Sequence, residues 1–146
     1  MKRSRALATL SRDHHVALVV ARALARASSR DVDAAAARYI EFLAGHELTH
    51  FAVEESVLLP AVPACARGQA LASQVRADHR ELREALARLQ GGEPPATVPV
   101  LHELGARLRA HVLLEERELF PYLERTLDDA ALADLGARLA HDLGED

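Results

Sequence analysis

Two five-residue segments, one in each half of the chain, place a histidine and a glutamate at the same spacing. They are His50-Phe-Ala-Val-Glu54 and His111-Val-Leu-Leu-Glu115. Residues four positions apart lie on one face of a helix, one turn from each other. Each pair can therefore direct an imidazole nitrogen and a carboxylate at one metal ion. Both segments continue into Glu-x-x-Leu-[Leu/Phe]-Pro, and this shared continuation makes the repeat much stronger evidence than a single pair.

The elements that must position these pairs are helices. Proline, glycine and serine–aspartate segments divide the chain, and we predict helices over about 7–28, 31–59, 67–90 and 98–120. A short fifth helix is predicted from about 129 to 141. Aromatic residues make up only 3% of the chain and no segment alternates as a strand does. The pattern predicts an all-α fold, an up-down-up-down four-helix bundle with a short C-terminal fifth helix.

Each of the four long predicted helices carries a histidine on its apolar face, and two of them add a carboxylate. Glu54 and Glu115 are these carboxylates, and they follow the apolar stripe of their helices. A buried carboxylate costs several kcal/mol unless it is paired or binds a metal, so a divalent metal is the simplest compensation. The predicted metal-ligating residues are His14, His50, Glu54, His79, His111 and Glu115.

The two halves of the chain repeat one unit. Asp13-His14 in the first predicted helix matches Asp78-His79 in the third, and residues 50–60 resemble residues 111–121. We interpret the chain as two such units that face each other across a pseudo-two-fold axis. Together they supply four imidazoles and two carboxylates, which is a ligand set for two metals. Nitrogen and oxygen donors without a thiolate suit iron or manganese, and zinc is a further option.

These segments resemble the hemerythrin-like (HHE cation-binding) domain family. The resemblance rests on Leu-Ser-Arg-Asp-His-His over 10–15, on 50–60, on Asp-His-Arg-Glu-Leu over 78–82 and on 111–121. It covers almost the whole chain, so we expect a single domain over residues 1–146. It implies a four-helix bundle around a non-haem di-iron centre. Such a centre binds or senses O₂ or a related small ligand (NO or peroxide), or responds to iron or redox state.

The resemblance also implies roles for individual residues. Glu54 and Glu115 would bridge two non-haem irons, helped by an oxo or hydroxo group, with manganese or zinc as substitutes. The oxygen-carrying members have a second histidine one turn after the helix-three histidine, where this chain has Arg83. They also end in His-x-x-x-x-Asp, whereas Glu115 lies four residues after its histidine. These departures predict an exchangeable position for a small anion such as azide, and favour sensing, peroxide or NO chemistry, or iron handling over O₂ carriage.

Other functions compete with a binding or sensing role. The first is a di-iron oxidoreductase or peroxidase-like enzyme, and turnover would distinguish it from a binder. The second is a zinc hydrolase, because His46-Glu47-Leu48-Thr49-His50 matches the H-E-x-x-H signature. Glu47-x-x-His50 also resembles half of a ferritin-like pair, although the matching position in the other half is Leu108. We expect His46 in the pocket beside the metals, and the pattern leaves open whether His15 joins the site.

Composition limits the partners. The net charge is -4 with neutral histidines, which gives no reason to expect nucleic acid or an anionic membrane as a partner. Cys65 is the only cysteine, so a reducing, cytoplasmic location is expected and a cysteine-based zinc site is excluded. No segment has the pattern of a signal peptide or a membrane span. The resemblance implies a small ligand (O₂, NO, peroxide or an azide-like anion) as the partner, and the sequence leaves the identity of any protein partner open.

Overall fold

The computed structural model describes residues 2–144, and no strand forms among them, which confirms the predicted all-helical class. The α-helices are α1 (Ala8–Ala25), α2 (Val32–Phe42), α3 (Leu48–Val53), α4 (Ala66–Gly91), α5 (Val98–Leu114), α6 (Phe120–Thr126) and α7 (Asp129–Asp142). Short 3₁₀ turns occur at Arg5–Leu7 and Leu59–Ala61, and π-helical turns occur at Leu43–Glu47, Glu54–Leu58 and Glu115–Leu119. The helices form a bundle, and none of those described combines the length and apolarity that crossing a membrane requires.

Several of these helices join end to end. The second long helix runs without a break over 32–61, and the fourth runs over 98–126. The predicted end of the fourth helix at Phe120 is therefore wrong, because the helix continues through Pro121. Pro121 lies in the first turn of α6, directly after a π-helical turn. The proline is tolerated there because the π-helical turn already interrupts the regular α-helical hydrogen bonds at the position of the amide that proline lacks.

The helix ends follow the local chemistry of their residues. Gly92 ends α4 with φ 69°, a left-handed conformation that glycine adopts without steric cost. The Thr97 side chain accepts a hydrogen bond from the Val100 amide at the start of α5. Asp128 caps α7 in the same way through the Ala131 amide. The structure thus contains the predicted loop between the third and fourth long helices. It also contains the predicted fifth helix.

The apolar core has two parts, and in α1 and α4 a buried polar residue lies between them. In α1, Leu10 belongs to one apolar cluster, and Ala17 to the other, with His14 between them. In α4, His79 lies between Val75 and Leu82 in the same way. The bundle therefore closes off a polar layer from both ends, which lowers the dielectric around it and strengthens its electrostatic interactions.

Candidate metal centre

The six predicted ligands converge on one buried layer, where each side chain is at most 3% exposed. Their donor atoms form two groups, and within each group all donor atoms lie within 4.8 Å of one another. Glu54 and Glu115 belong to both groups, so two candidate metal positions share two carboxylates. The first group is His14, His50, Glu54 and Glu115, and the second is Glu54, His79, His111 and Glu115.

Glu54 joins one imidazole from each group through separate oxygens. Its Oε2 lies 3.3 Å from His50 Nε2, and its Oε1 lies 3.1 Å from His79 Nε2. The first contact follows from the four-residue spacing on one helix. The second crosses from the second long helix to α4. A carboxylate held in this way has one oxygen available for each metal position.

Glu115 repeats this arrangement in the second half of the chain. Its Oε1 lies 2.9 Å from His14 Nε2, across the bundle, and its Oε2 lies 3.5 Å from His111 Nε2 on its own helix. Glu54 and Glu115 each begin a π-helical turn, at Glu54–Leu58 and Glu115–Leu119. Single π-helical turns inside α-helices occur frequently at functional sites.

The outward-facing nitrogens of two imidazoles are held by aspartates. His50 Nδ1 lies 3.0 Å from Asp13 Oδ2, and His111 Nδ1 lies 3.0 Å from Asp78 Oδ2. Asp13 directly precedes His14, so the Asp-His dipeptide supplies one candidate ligand and one support for a ligand on another helix. The sequence shows the repeated dipeptide, but its role was not apparent there.

Glutamates hold the outward nitrogens of the other two imidazoles. Glu55 Oε2 lies 2.7 Å from His79 Nδ1, and Glu116 Oε2 lies 2.8 Å from His14 Nδ1. Each of these glutamates directly follows a shared carboxylate in sequence. All four imidazoles therefore have a carboxylate at Nδ1 and direct Nε2 inward. Histidines that bind metals typically have such a partner on their second nitrogen.

Unpaired buried atoms show that this layer fits a metal. Within residues 2–144, the buried atoms without a hydrogen-bond partner include both carboxylate oxygens of Glu54 and Oε2 of Glu115. They also include Nε2 of His50, His79 and His111. Atoms of this kind are costly when they are left without a partner. Metal coordination would satisfy them, and the all-nitrogen-and-oxygen donor set matches iron, manganese or zinc.

Without a metal, the pKa values of His14 and His50 are raised. Burial lowers the pKa of His14, but hydrogen bonds to Glu115 and Glu116 outweigh burial and raise this pKa to about 10. Burial also opposes protonation of His50, and the negative charge of Glu54 raises its pKa well above 6.5. A metal ion must displace such protons when it binds, because only an unprotonated nitrogen can coordinate.

The two shared carboxylates have opposite tendencies. Burial raises the pKa of Glu115, and repulsion from Glu54 adds to this increase. Burial acts on Glu54 in the same direction, but the positive charge of His50 holds its pKa well below the usual range. Two carboxylates in one buried layer cannot easily both remain charged without a cation. A cation bound between them would relieve this repulsion.

Glu47 is a buried carboxylate that the sequence did not identify as part of this layer. It is 2% exposed, its Oε1 lies 3.6 Å from His50 Nδ1, and its Oε2 has no hydrogen-bond partner within the described part of the chain. Burial raises the pKa of Glu47 to about 7, and the charge of His50 offsets part of this increase. Its position three residues before His50 places it on the same helix face, as the equivalent position before His111 does for the buried Leu108.

His46 lies outside the pocket. Its side chain is 57% exposed, and its Nε2 lies 3.3 Å from Asp13 Oδ1. The expectation that His46 lies beside the metals is therefore wrong. His46 also belongs to neither group of candidate ligands found in residues 2–144, so the H-E-x-x-H motif does not bring its two imidazoles to one ion. His15 is exposed and does not join either group.

The family model described as the hemerythrin HHE cation binding domain matches residues 5–141, which include all six predicted ligands. No curated protein and no solved structure matches the chain significantly.

Proposed function

The chain belongs to the hemerythrin HHE cation-binding domain family, and on this premise we propose that it is a non-haem di-iron protein. In this proposal the chain is a single domain with the topology of an up-down-up-down four-helix bundle. The six predicted residues ligate its two irons. Manganese or zinc are the substitutes that the donor types allow. The proposed ligands are His14, His50, Glu54, His79, His111 and Glu115.

The observation that carries the proposal is the sharing of two carboxylates. Glu54 and Glu115 are fully buried and belong to both groups of donor atoms. A site for one metal would need only one group and would leave the other two imidazoles buried without a function. Each of the four imidazoles also has an aspartate or glutamate at its Nδ1, and this further supports ligation. Such a carboxylate keeps the imidazole proton on Nδ1 and leaves Nε2 free for coordination.

The proposed ligand is a small molecule or anion: O₂, NO, peroxide, or an azide-like probe. Iron bound here would supply redox chemistry and an exchangeable coordination position. The protein's part is to hold the imidazoles in orientation and to exclude bulk water, since the polar layer lies between two apolar clusters. We therefore place the protein among binders or sensors of such ligands. An oxidoreductase or peroxidase-like activity is the alternative.

Iron analysis of protein expressed with ample iron is the decisive experiment. We expect close to two irons per chain and ligand-to-iron charge-transfer absorption in the near ultraviolet. Protein that carries only zinc, or no metal, would overturn the di-iron proposal. Peptide hydrolysis that depends on Glu47 would revive the zinc-hydrolase alternative.

Titration of the iron-loaded protein with azide or peroxide tests the ligand class. A stoichiometric, saturable spectral change is expected if the protein binds or senses such ligands. Repeated consumption of peroxide by a catalytic amount of protein would identify an enzyme instead. The absence of any azide-dependent change would contradict an exchangeable coordination position.

A further inference from the structure

Arg83 lies behind His79, separated from it by one carboxylate. Its Nη1 donates to Glu55 Oε2 at 2.7 Å, and its Nη2 donates to Glu55 Oε1 at 3.1 Å. The same Oε2 lies 2.7 Å from His79 Nδ1. A bidentate arginine–carboxylate pair fixes the plane of the carboxylate as well as its charge. The three side chains therefore form a chain of contacts from the bundle surface to the buried layer.

Arg3 contacts the residue whose carboxylate lies at Nδ1 of His14 in the other half of the molecule, although mainly through its backbone carbonyl. Its Nη2 donates to the Glu116 backbone carbonyl at 2.6 Å and lies 3.5 Å from Glu116 Oε1. Its Nη1 donates to Glu124 Oε1 at 2.6 Å. Glu116 uses its other oxygen, Oε2, to contact His14 Nδ1 at 2.8 Å. Arg3 and Arg83 come from unrelated parts of the sequence, yet they reach equivalent places.

Each of the two arginines also lies near an aromatic ring that stacks on the imidazole. The Arg83 guanidinium lies 5.7 Å from the centre of the Phe51 ring, which stacks on His79 with ring centres 4.0 Å apart. The Arg3 guanidinium lies 5.3 Å from the Phe120 ring centre. Phe120 in turn stacks on the His14 ring, with ring centres 5.6 Å apart and an interplanar angle of 10°. Each arginine thus contacts both the carboxylate and the ring that fix one imidazole.

We propose that Arg3 and Arg83 are positioning residues, each of which orients one imidazole of the candidate metal centre through the carboxylate at its Nδ1. The inference rests on the proposed function, because an imidazole that binds no metal needs no such orientation. Glu55 is 29% exposed even with Arg83 in place, so in the absence of Arg83 its carboxylate can turn toward water. His79 would then lose the acceptor that keeps its proton on Nδ1 and directs Nε2 inward.

The two arginines act on different metal positions. His79, which Arg83 orients, belongs to the group that contains His111, whereas His14, which Arg3 orients, belongs to the group that contains His50. Loss of one arginine should therefore weaken one of two binding steps and leave the other intact. A general loss of stability would weaken both steps together.

Titration of metal-free protein with Co²⁺, followed by its visible absorption, tests this inference. We expect wild type to bind two equivalents. In Arg83→Gln and in Arg3→Gln, one equivalent should bind about 10-fold more weakly, the low end of the range for partners of metal ligands. The other equivalent should bind within about 2-fold of wild type, and the double variant should weaken both. The Co²⁺ spectrum of the weakened equivalent should also change, because the orientation of its imidazole changes.

Matched variants separate positioning from folding. Arg107 is also ion-paired on the bundle surface, with Glu81 and Glu103, but it contacts none of the layer's carboxylates. Arg107→Gln should therefore leave both equivalents unchanged. Arg83→Lys keeps the charge without the bidentate geometry and should give an intermediate affinity, so it keeps the test valid if Arg83→Gln fails to fold.

The outcomes distinguish this inference from the proposed function. Wild type that binds fewer than two equivalents overturns the proposed function, and the inference with it. A different result would overturn the inference alone. In it, wild type binds two equivalents, and Arg83→Gln and Arg3→Gln bind both equivalents as tightly as wild type does. Equal weakening of both equivalents by a single variant would show a purely structural role and would also overturn it.

Discussion

Glu47 and Leu108 occupy the same position in the two halves of the chain, three residues before His50 and His111 respectively, and both side chains are buried. One half therefore places a carboxyl group where the other half places an apolar side chain. The two candidate metal positions are inequivalent for this reason, although their six ligands repeat closely.

The buried carboxyl of Glu47 predicts a pH-dependent stability of the metal-free protein. The folded-state pKa is about 7, whereas the ordinary value is 4.5. Between these two values the folded protein holds a proton that the unfolded chain has released, so stability falls as the pH rises through this window. We expect Glu47→Gln to stabilise the metal-free protein at pH 8 by up to roughly 3 kcal/mol, and by much less at pH 5.

Urea unfolding of the metal-free protein at both pH values measures this effect. Glu41→Gln is a suitable control, because Glu41 is exposed on the same long helix and should have little effect at either pH. The difference in the free energy of unfolding between Glu47→Gln and wild type should therefore depend on pH. The same difference at both pH values would show that the pKa of Glu47 is not raised in the folded protein.

The shared carboxylates should be indispensable for both metals. Glu54→Ala or Glu115→Ala removes a donor from both groups, so each variant should lose both irons and not one. Glu47→Ala should leave the iron content nearly unchanged, because Glu47 belongs to neither group of donors in the described residues. Iron analysis of the three variants after identical expression makes this comparison, and retention of one iron in Glu54→Ala would contradict the sharing.

Metal affinity should increase with pH. The pKa of His14 is about 10 in the absence of metal, so its proton must leave before Nε2 coordinates. Each proton displaced changes the affinity by about 10-fold per pH unit in the range where the imidazole stays protonated. Competition titrations with Zn²⁺ between pH 6.5 and 8 should show this increase.

Removal of the outer carboxylate of His14 should weaken this pH dependence. Glu116 helps to raise the pKa of His14, so Glu116→Gln should give a smaller slope of affinity against pH. Glu118→Gln is the control, because Glu118 pairs with Arg67 on the surface and contacts no imidazole. An unchanged slope in Glu116→Gln would show that the loss of Glu116 does not bring the pKa of His14 into the range from pH 6.5 to 8.

The close approach of α1 and α5 predicts a stability difference between two glycine substitutions. A Cβ on Gly105 would lie 2.7 Å from the Ala21 carbonyl oxygen and 2.9 Å from the Ala25 amide nitrogen. Gly105→Ala should therefore destabilise the protein by about 1–3 kcal/mol. At Gly45 no atom lies within 4 Å of an added Cβ, so Gly45→Ala should stabilise by up to about 1 kcal/mol. Urea unfolding of both variants measures the difference.

The sequence by itself determined the helices and the six inward residues. Helical periodicity is local, so the four-residue spacing of His50 and Glu54 fixes their common face before any tertiary packing is known. The prolines and glycines fixed most helix ends for the same local reason. The predicted end of the fourth helix at Phe120 was wrong because a π-helical turn precedes Pro121. Such turns have no strong sequence signal.

The tertiary structure alone decided which groups support these ligands. His14 meets Glu116 across 102 positions of sequence, and Arg3 reaches the Glu116 carbonyl across 113. Such pairs depend on the rotation and separation of packed helices, and local spacing carries no information about either. The ligand types are thus a property of the sequence, whereas the hydrogen bonds that orient them arise only when the helices pack.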